Sequence, residues 1–275
     1  MLHNLLQNSD KPLLMGVLNL TPDSFSDGGM YLDANMASQR VKELFTDGCD
    51  FIDIGAESTR PGGNLIQEAL ELERLETLFN NINLESFAFS LDTRRASVVK
   101  KFKERGLILI NDVSGISDSE IYDLLVENDQ FTCVINHHRG IPPNPNFQKH
   151  NADRIAIEVE NFFNERLDKA EKKGLKKERF VLDVGLGFGK NKEENLALVH
   201  SLGRFKEIFG LPLLVGISRK RTIKELWPDF EPDSGSLALA TLAVANGADI
   251  IRCHNIKLHK PLKEVFKLKK YLKNT

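Results

Sequence analysis

Apolar and polar positions alternate along this chain with a long, regular period. Short runs rich in Leu, Ile, Val and Phe end on a polar residue and give way to longer charged stretches. The runs are "LLMGVL" (13–18), "FIDIGA" (51–56), "FAFSLD" (87–92), "LILIND" (107–112), "FTCVIN" (131–136), "FVLDVG" (180–185), "PLLVGIS" (212–218) and "DIIRCH" (249–254). Runs this short, apolar at nearly every position, predict strands buried on both faces. Between them, helical spacing of apolar residues predicts helices over 34–48, 67–80, 94–105, 118–127, 152–173, 192–209, 236–246 and 260–272.

Repeated strand–helix units predict an α/β fold whose parallel sheet is covered by helices. In a chain of 275 residues, eight such units suit a (β/α)8 TIM barrel, which takes roughly 250 residues, better than an open doubly wound sheet. No Pro/Gly/Ser-rich linker or composition break divides the chain, so residues 1–275 are expected to form one domain. An extra short helix is expected at "SRKRTIKELW" (218–227), after strand seven, where barrels often carry an insertion beside a phosphate site.

Composition narrows the partners. A formal charge of −2 gives no global basic field and argues against nucleic acid as a partner. No apolar run approaches the roughly 18 residues of a membrane span, and "MLHNLLQNSDK" does not have the pattern of a signal peptide. Cys49, Cys133 and Cys253 form no CxxC pair, which predicts reduced, mostly buried thiols in a cytoplasmic protein.

Barrel active sites lie where strands end. The polar residues leaving these strands are Asn19, Glu57, Asp92, Asn111 with Asp112, Asn136 with His137, Asp183, Ser218 with Lys220, and Arg252 with His254. A single such residue means little, because it can cap the following helix. Their convergence predicts a site with three kinds of group. Asp92, Asn111 and Asp183 offer the acceptors and donors that suit the polar edge of a flat nitrogen heterocycle. Lys220, Arg252 and His254, with a helix start near Ser218, suit an anion such as phosphate or diphosphate. Asn19 could give Mg2+ one amide oxygen while phosphate oxygens and water complete the shell.

Other motifs fail. "DVGLGFGK" (183–190) spaces its glycines wrongly for GxGxxG, and Asn191 stands where a Walker A loop needs Ser or Thr. His137–His138 and His254/His259 lack zinc spacing, and Ser218 has no evident base, so a covalent intermediate is not expected. The connection "NLTPDSFSDGG" (19–29) is long for a compact domain, which predicts a functional flap; Gly28 and Gly29 would be its hinge.

Seven segments, "MGVLNLTPDSFSDGG" (15–29), "ESTRPG" (57–62), "LDTRR" (91–95), "IND" (110–112), "LDVGLGFGK" (182–190), "LLVGISRK" (213–220) and "IRCH" (251–254), closely resemble the bacterial dihydropteroate synthase family, in family order and over nearly the whole chain. The resemblance implies a (β/α)8 transferase that joins 6-hydroxymethyl-7,8-dihydropterin diphosphate to p-aminobenzoate and releases diphosphate with Mg2+. It implies that Asp92, Asn111, Asp183 and Lys220 bind the pterin, that Asn19 meets the metal and diphosphate, and that Arg252 and His254 hold the anion. Phe25 and Asp27 from the first loop, and Thr59, Arg60 and Pro61 from the second, would complete the p-aminobenzoate pocket, with Phe188 as a wall and Ser218 at the carboxylate. A homodimer is a further implication.

Departures exist. Ala56, Val184 and Leu186 replace the family's usual Gly, Pro and Phe. In "VINHHRG" (134–140) the family's pterin-lining Met falls on Ile135 or Asn136, and the sequence leaves that register open. The alternative is a related barrel that binds a reduced folate and passes its methyl group to a corrinoid protein. It shares the Asp/Asn/Asp edge but has no use for the two flaps or the cationic cluster. An Asp27–Arg60 pairing on closure is expected. Arg60→Ala should therefore raise the KM for p-aminobenzoate or lower turnover, and steady-state kinetics unchanged in both would refute the pairing.

Overall fold

The computed structural model describes residues 2–7, 11–21, 34–58, 65–82, 87–141 and 152–264. The strands β1 Leu13–Asn19, β2 Phe51–Gly55, β3 Phe89–Asp92, β4 Leu107–Asn111, β5 Thr132–Asn136, β6 Phe180–Asp183, β7 Leu213–Gly216 and β8 Ile250–Cys253 pair in sequence order. All neighbours are parallel, and β8 returns to β1 to close the barrel. The apolar runs form strands because helices cover one face while the opposite face fills the barrel.

The pleat sorts each run into two cores. Leu13, Met15, Phe51, Leu109, Val134, Val181, Leu214 and Ile250 form the cluster inside the barrel. Leu14, Leu18, Ile52, Ile54, Leu91, Ile110, Ile135, Leu182, Val215 and Ile251 belong to the larger cluster between sheet and helices. The interior cluster also receives Leu2, with Leu5 and Leu6 beside it, from a short helix α1 (Leu2–Gln7) that the apolar periodicity does not foretell. One end of the barrel is thus sealed by hydrocarbon, which leaves the ends of the strands as the open mouth.

Around the barrel run α2 Ala34–Asp47, α3 Glu68–Asn81, α4 Ala96–Phe102, α5 Glu120–Glu127, α6 Ala152–Lys172, α7 Lys192–His200, α8 Leu202–Phe209, α9 Arg221–Leu226, α10 Pro232–Ala245 and α11 Ile256–His259. The stretch 192–209 is two helices, because Ser201 ends α7 and starts α8 with φ −83° and ψ 0°. α4 begins two residues later than its apolar spacing suggests, since Arg95 is extended (φ −113°, ψ 122°). α10 begins earlier, at Pro232, whose fixed φ suits a first turn. The extra helix after strand seven is present as α9. The expected last helix reaches beyond residue 264, outside the described residues.

Leu2 is 1% exposed within the interior cluster. Leu2→Ala should lower unfolding free energy by about 2–5 kcal/mol in denaturant titration while leaving the mouth intact.

Candidate active site at the barrel mouth

The last inward-facing position of each strand falls where the sequence ends its apolar run. In register, Asn19 pairs with Gly55, Gly55 with Asp92, and Asp92 with Asn111. On the other side Asn136 pairs with Asp183, and Gly216 with Arg252. Parallel partners share a face, so these side chains point together into the mouth. The glycines make room: a Cβ at Gly55 would lie 3.0 Å from the Cβ of Asp92. Parity also settles the open register. Ile135 packs outward into the helix-facing core, while Asn136 faces the cavity and donates to Val113 O at 2.9 Å.

Arg252 reaches across the mouth. Its Nε donates to Asp53 Oδ2 at 2.6 Å and its Nη2 to Asp92 Oδ2 at 2.9 Å. Asn111 Nδ2 donates to the same Asp53 oxygen at 2.9 Å. Asp53 is wholly buried and was not among the residues the strand ends pointed to. Its signal in the sequence is a carboxylate inside "FIDIG", two residues before the inward Gly55 and hence on the same face. Burial, and then the charge of Asp53, raise the pKa of Asp92 above the carboxylate range, with Arg252 opposing. The expected anion-holding role of Arg252 thus has a second side, because its guanidinium already compensates two carboxylates.

Asp183 closes β6 and accepts Gly185 N–H at 2.8 Å. Burial raises its pKa; Lys220, the Gly185 N–H and Lys190 pull it back. Lys220 Nζ stands 4.9 Å from the centre of the Phe188 ring and donates to Leu186 O. The pair forms one wall of the mouth, with an aromatic face and a cation. After β7, Ser218 Oγ lies 2.9 Å from His254 Nδ1 and accepts His254 N–H at 3.3 Å, which places Ser218 on the β8 side. Between Ser218 and Lys220, Arg219 adopts φ +57° and is tied to Asp233 by two bonds of 2.8 and 3.0 Å. That left-handed residue reverses the chain so that both of its neighbours line the mouth. No apolar period or turn motif announces it.

The loops at the rim are braced by ion pairs. Glu57 accepts Arg94 Nε at 2.8 Å, Arg95 Nη2 at 3.0 Å and Ile66 N–H at 3.0 Å, which fixes both flanks of the second loop. Burial works to raise the pKa of Glu57, but these bonds hold it lower. Asp112 turns away from the mouth and accepts Ser114 and Ile116 N–H at 2.7 and 3.0 Å, shaping the turn after β4. His137 is buried with its pKa pushed down to about 4 by burial, and His138 bonds Ser114 O at 3.0 Å, so this pair is structural. Phe25, Asp27, Thr59, Arg60 and Pro61 lie outside the described residues.

Asp92, Asn111, Asp183, Phe188, Ser218, Lys220, Arg252 and His254 line one cavity of about 410 Å3, joined by Asn136, Arg219 and Arg221. Asn19 ends β1 at the same mouth, half-buried, without lining that cavity. A carboxylate–amide floor beneath a cationic rim can seat a flat donor-rich ring and an anionic tail at once. A family profile described as "Pterin binding enzyme" matches residues 15–254.

The chain belongs to the pterin-binding enzyme family.

Within this family it is similar to the dihydropteroate synthase of Neisseria meningitidis serogroup B, at 37% identity over 259 residues covering 90% of this chain and 89% of that one. It also superposes on the dihydropteroate synthase of Xanthomonas albilineans. The structure of that enzyme with 4-aminobenzoic acid matches at TM-score 0.83 and 32% identity, covering 97% of this chain and 94% of the other. The complex of the same enzyme with 7,8-dihydropteroate matches at TM-score 0.80 and 31% identity, over 97% and 95% of the two chains.

A pterin-family ring presents N–H donors, and an ionised carboxylate meets them with acceptors alone. Because Asp183 has a raised pKa, it still carries a proton at pH values where an exposed carboxylate has lost its own. Pterin affinity should therefore rise with pH as Asp183 ionises. Titration calorimetry over the acid range should show this limb in the parent protein and not in Asp183→Asn.

Proposed function

We infer that the chain transfers the pterin methylene of 6-hydroxymethyl-7,8-dihydropterin diphosphate to the amine of p-aminobenzoate, giving 7,8-dihydropteroate and diphosphate. The observation that carries this is the single cavity in which Asp92, Asn111 and Asp183 form the floor and Ser218, Lys220, Arg252 and His254 the rim. The names of its relatives, and the 4-aminobenzoic acid and 7,8-dihydropteroate bound in similar structures, support it.

In this reading the three floor residues bind the ring's polar edge, and Lys220 covers the ring beside Phe188. The C–O bond between methylene and diphosphate breaks first, and its electron pair leaves with the diphosphate. Cations gathered on β7 and β8 stabilise that leaving charge, and Asp92, whose raised pKa falls as positive charge develops beside it, ionises to screen the charge left on the methylene. The amine nitrogen then forms the new C–N bond and gives up a proton. Phe188 supplies an apolar face for the incoming arene. Ser218, braced by His254 at 2.9 Å, keeps a hydroxyl at the cavity for the p-aminobenzoate carboxylate.

Mg2+ fits this donor set. Among the described residues no three His, Cys, Asp or Glu side chains are grouped to hold a metal, so an ion here would depend on substrate oxygens, water and the amide of Asn19. When bound, it would neutralise charge on the departing diphosphate. A homodimer would be supported by α10, apolar over residues 237–245 apart from Thr241, on which Leu242 is 47% exposed next to a connection on which Phe230 is 63% exposed. No helix among the described residues is long and apolar enough to cross a membrane. Three buried free thiols agree with a reducing cytoplasm.

Given the pterin diphosphate, Mg2+ and p-aminobenzoate, the protein should release diphosphate and form a p-aminobenzoate-dependent product, and the absence of that product would overturn the assignment. Asp183→Ala should weaken pterin binding strongly in the same preparation. Leu242→Glu should convert a dimer to a monomer in sedimentation velocity.

A further inference from the structure

The turn "DVGLGFGK" (183–190) is no nucleotide loop, and the transfer chemistry makes no direct use of the lysine that closes it. Lys190 is nevertheless only 8% exposed, and its bonding partners are not carboxylates. Its ammonium donates to three main-chain carbonyls, those of His137 at 3.1 Å, Gly185 at 2.7 Å and Phe188 at 3.4 Å. An ammonium withdrawn from water without a paired anion is costly. A neutral side chain would pack there more cheaply, so the charge calls for an account.

The three carbonyls belong to the residues that shape the floor and one wall of the cavity. Gly185 is held from two sides: its N–H donates to Asp183 Oδ1 at 2.8 Å, and its carbonyl accepts both Lys190 and the Phe188 N–H (3.1 Å). Phe188 O also accepts Arg139 N–H at 3.3 Å, and His137 N–H donates to Asp183 O at 2.9 Å. There is no slack in the turn, since a Cβ at Gly185 would lie 1.8 Å from His137 O. Lys190 therefore stands behind the acceptor of the pterin edge and behind the ring that carries the arene.

We propose that Lys190 is a positioning residue for the transfer reaction: it clamps Gly185 and Phe188 so that Asp183 is presented as an ionised acceptor and the Phe188 ring stays beside Lys220. This rests on the reading of the cavity as a pterin site. The charged and titratable groups around it are His137, His138 and Arg139 after β5, Glu158 on α6, Glu194 on α7, Asp183 on β6 and Lys220 after β7. Burial, then Arg139 and Lys220, push the Lys190 ammonium down to about 7, while Asp183 and Glu158 oppose. The signs follow. Protonated Lys190 lowers the proton affinity of Asp183, so its removal moves the acid limb of pterin binding to higher pH. Deprotonation removes one of three N–H donors, which gives the free enzyme an alkaline limb near neutrality.

The test is binding of 6-hydroxymethylpterin, together with the KM for p-aminobenzoate, across about pH 5 to 9 in the parent, K190M and K190R. K190M should bind roughly 10- to 100-fold more weakly. Its acid limb should move upward and its alkaline limb disappear. K190R, charged throughout, should keep the acid limb low and recover part of the affinity. A folded K190M with parental affinity and parental limbs would overturn the proposal. Should K190M not fold, ε-13C-lysine spectra of the parent decide. A Lys190 signal that moves on pterin binding supports the clamp, and one unmoved by pterin refutes it. If the cavity is not a pterin site at all, the parent protein binds no pterin at any pH, a result distinct from either.

Discussion

A guanidinium held between two carboxylates, Arg252 with Asp53 and Asp92, is the contact around which the barrel mouth is arranged. Asp53 lies one layer below the opening and is fully buried, so without Arg252 its charge would be uncompensated. Satisfying it draws Arg252 from β8 across to β2 and β3. That reach fixes the orientation of Asp92 and brings in Asn111 through the shared Asp53 oxygen. It also explains why Gly55 stands beside Asp92: a larger neighbour would intrude on the space the pair occupies.

The two ends of the barrel are built on opposite principles. At the closed end, α1 lays Leu2 onto the interior cluster, and stability comes from excluded water. At the open end, polar groups are kept in place by ion pairs set just behind the cavity. Glu57 with Arg94 and Arg95 holds the flanks of the second loop, Arg139 with Glu158 and Glu194 ties the turn after β5 to α6 and α7, and Arg219 with Asp233 ties the β7 turn to α10. Since their carboxylates are half-buried or buried, these pairs are screened less by salt than exposed ones.

Much of this is legible in the chain, for physical reasons. Strands buried on both faces leave short apolar runs, and a run that ends in the mouth ends on a polar residue, so all eight strands and the floor residues Asp92, Asn111 and Asp183 can be read directly. Asp53 is hidden because it interrupts a run rather than ending it, and only its parity with Gly55 reveals its face. Asn136 is decided the same way, since Val134 belongs to the barrel interior. The support provided by Arg219 and Lys190 depends on a left-handed backbone and on carbonyls brought from distant residues, neither of which has a periodic signature. α1, six residues long, is held by tertiary packing rather than by an amphipathic period of its own.

The alternating glycines after β6 carry a further consequence. All three have positive φ, and each abuts something fixed: Gly185 the carbonyl of His137, Gly187 the stem of Lys220 at 3.1 Å, and Gly189 the Cβ of Arg139 at 2.8 Å. Side chains are therefore barred from every second position, while Leu186 and Phe188 between them line the cavity. Substitution in this segment is constrained accordingly. The frame of the pocket is fixed by its backbone, and its chemistry in this turn is set by the two side chains that the glycines leave room for.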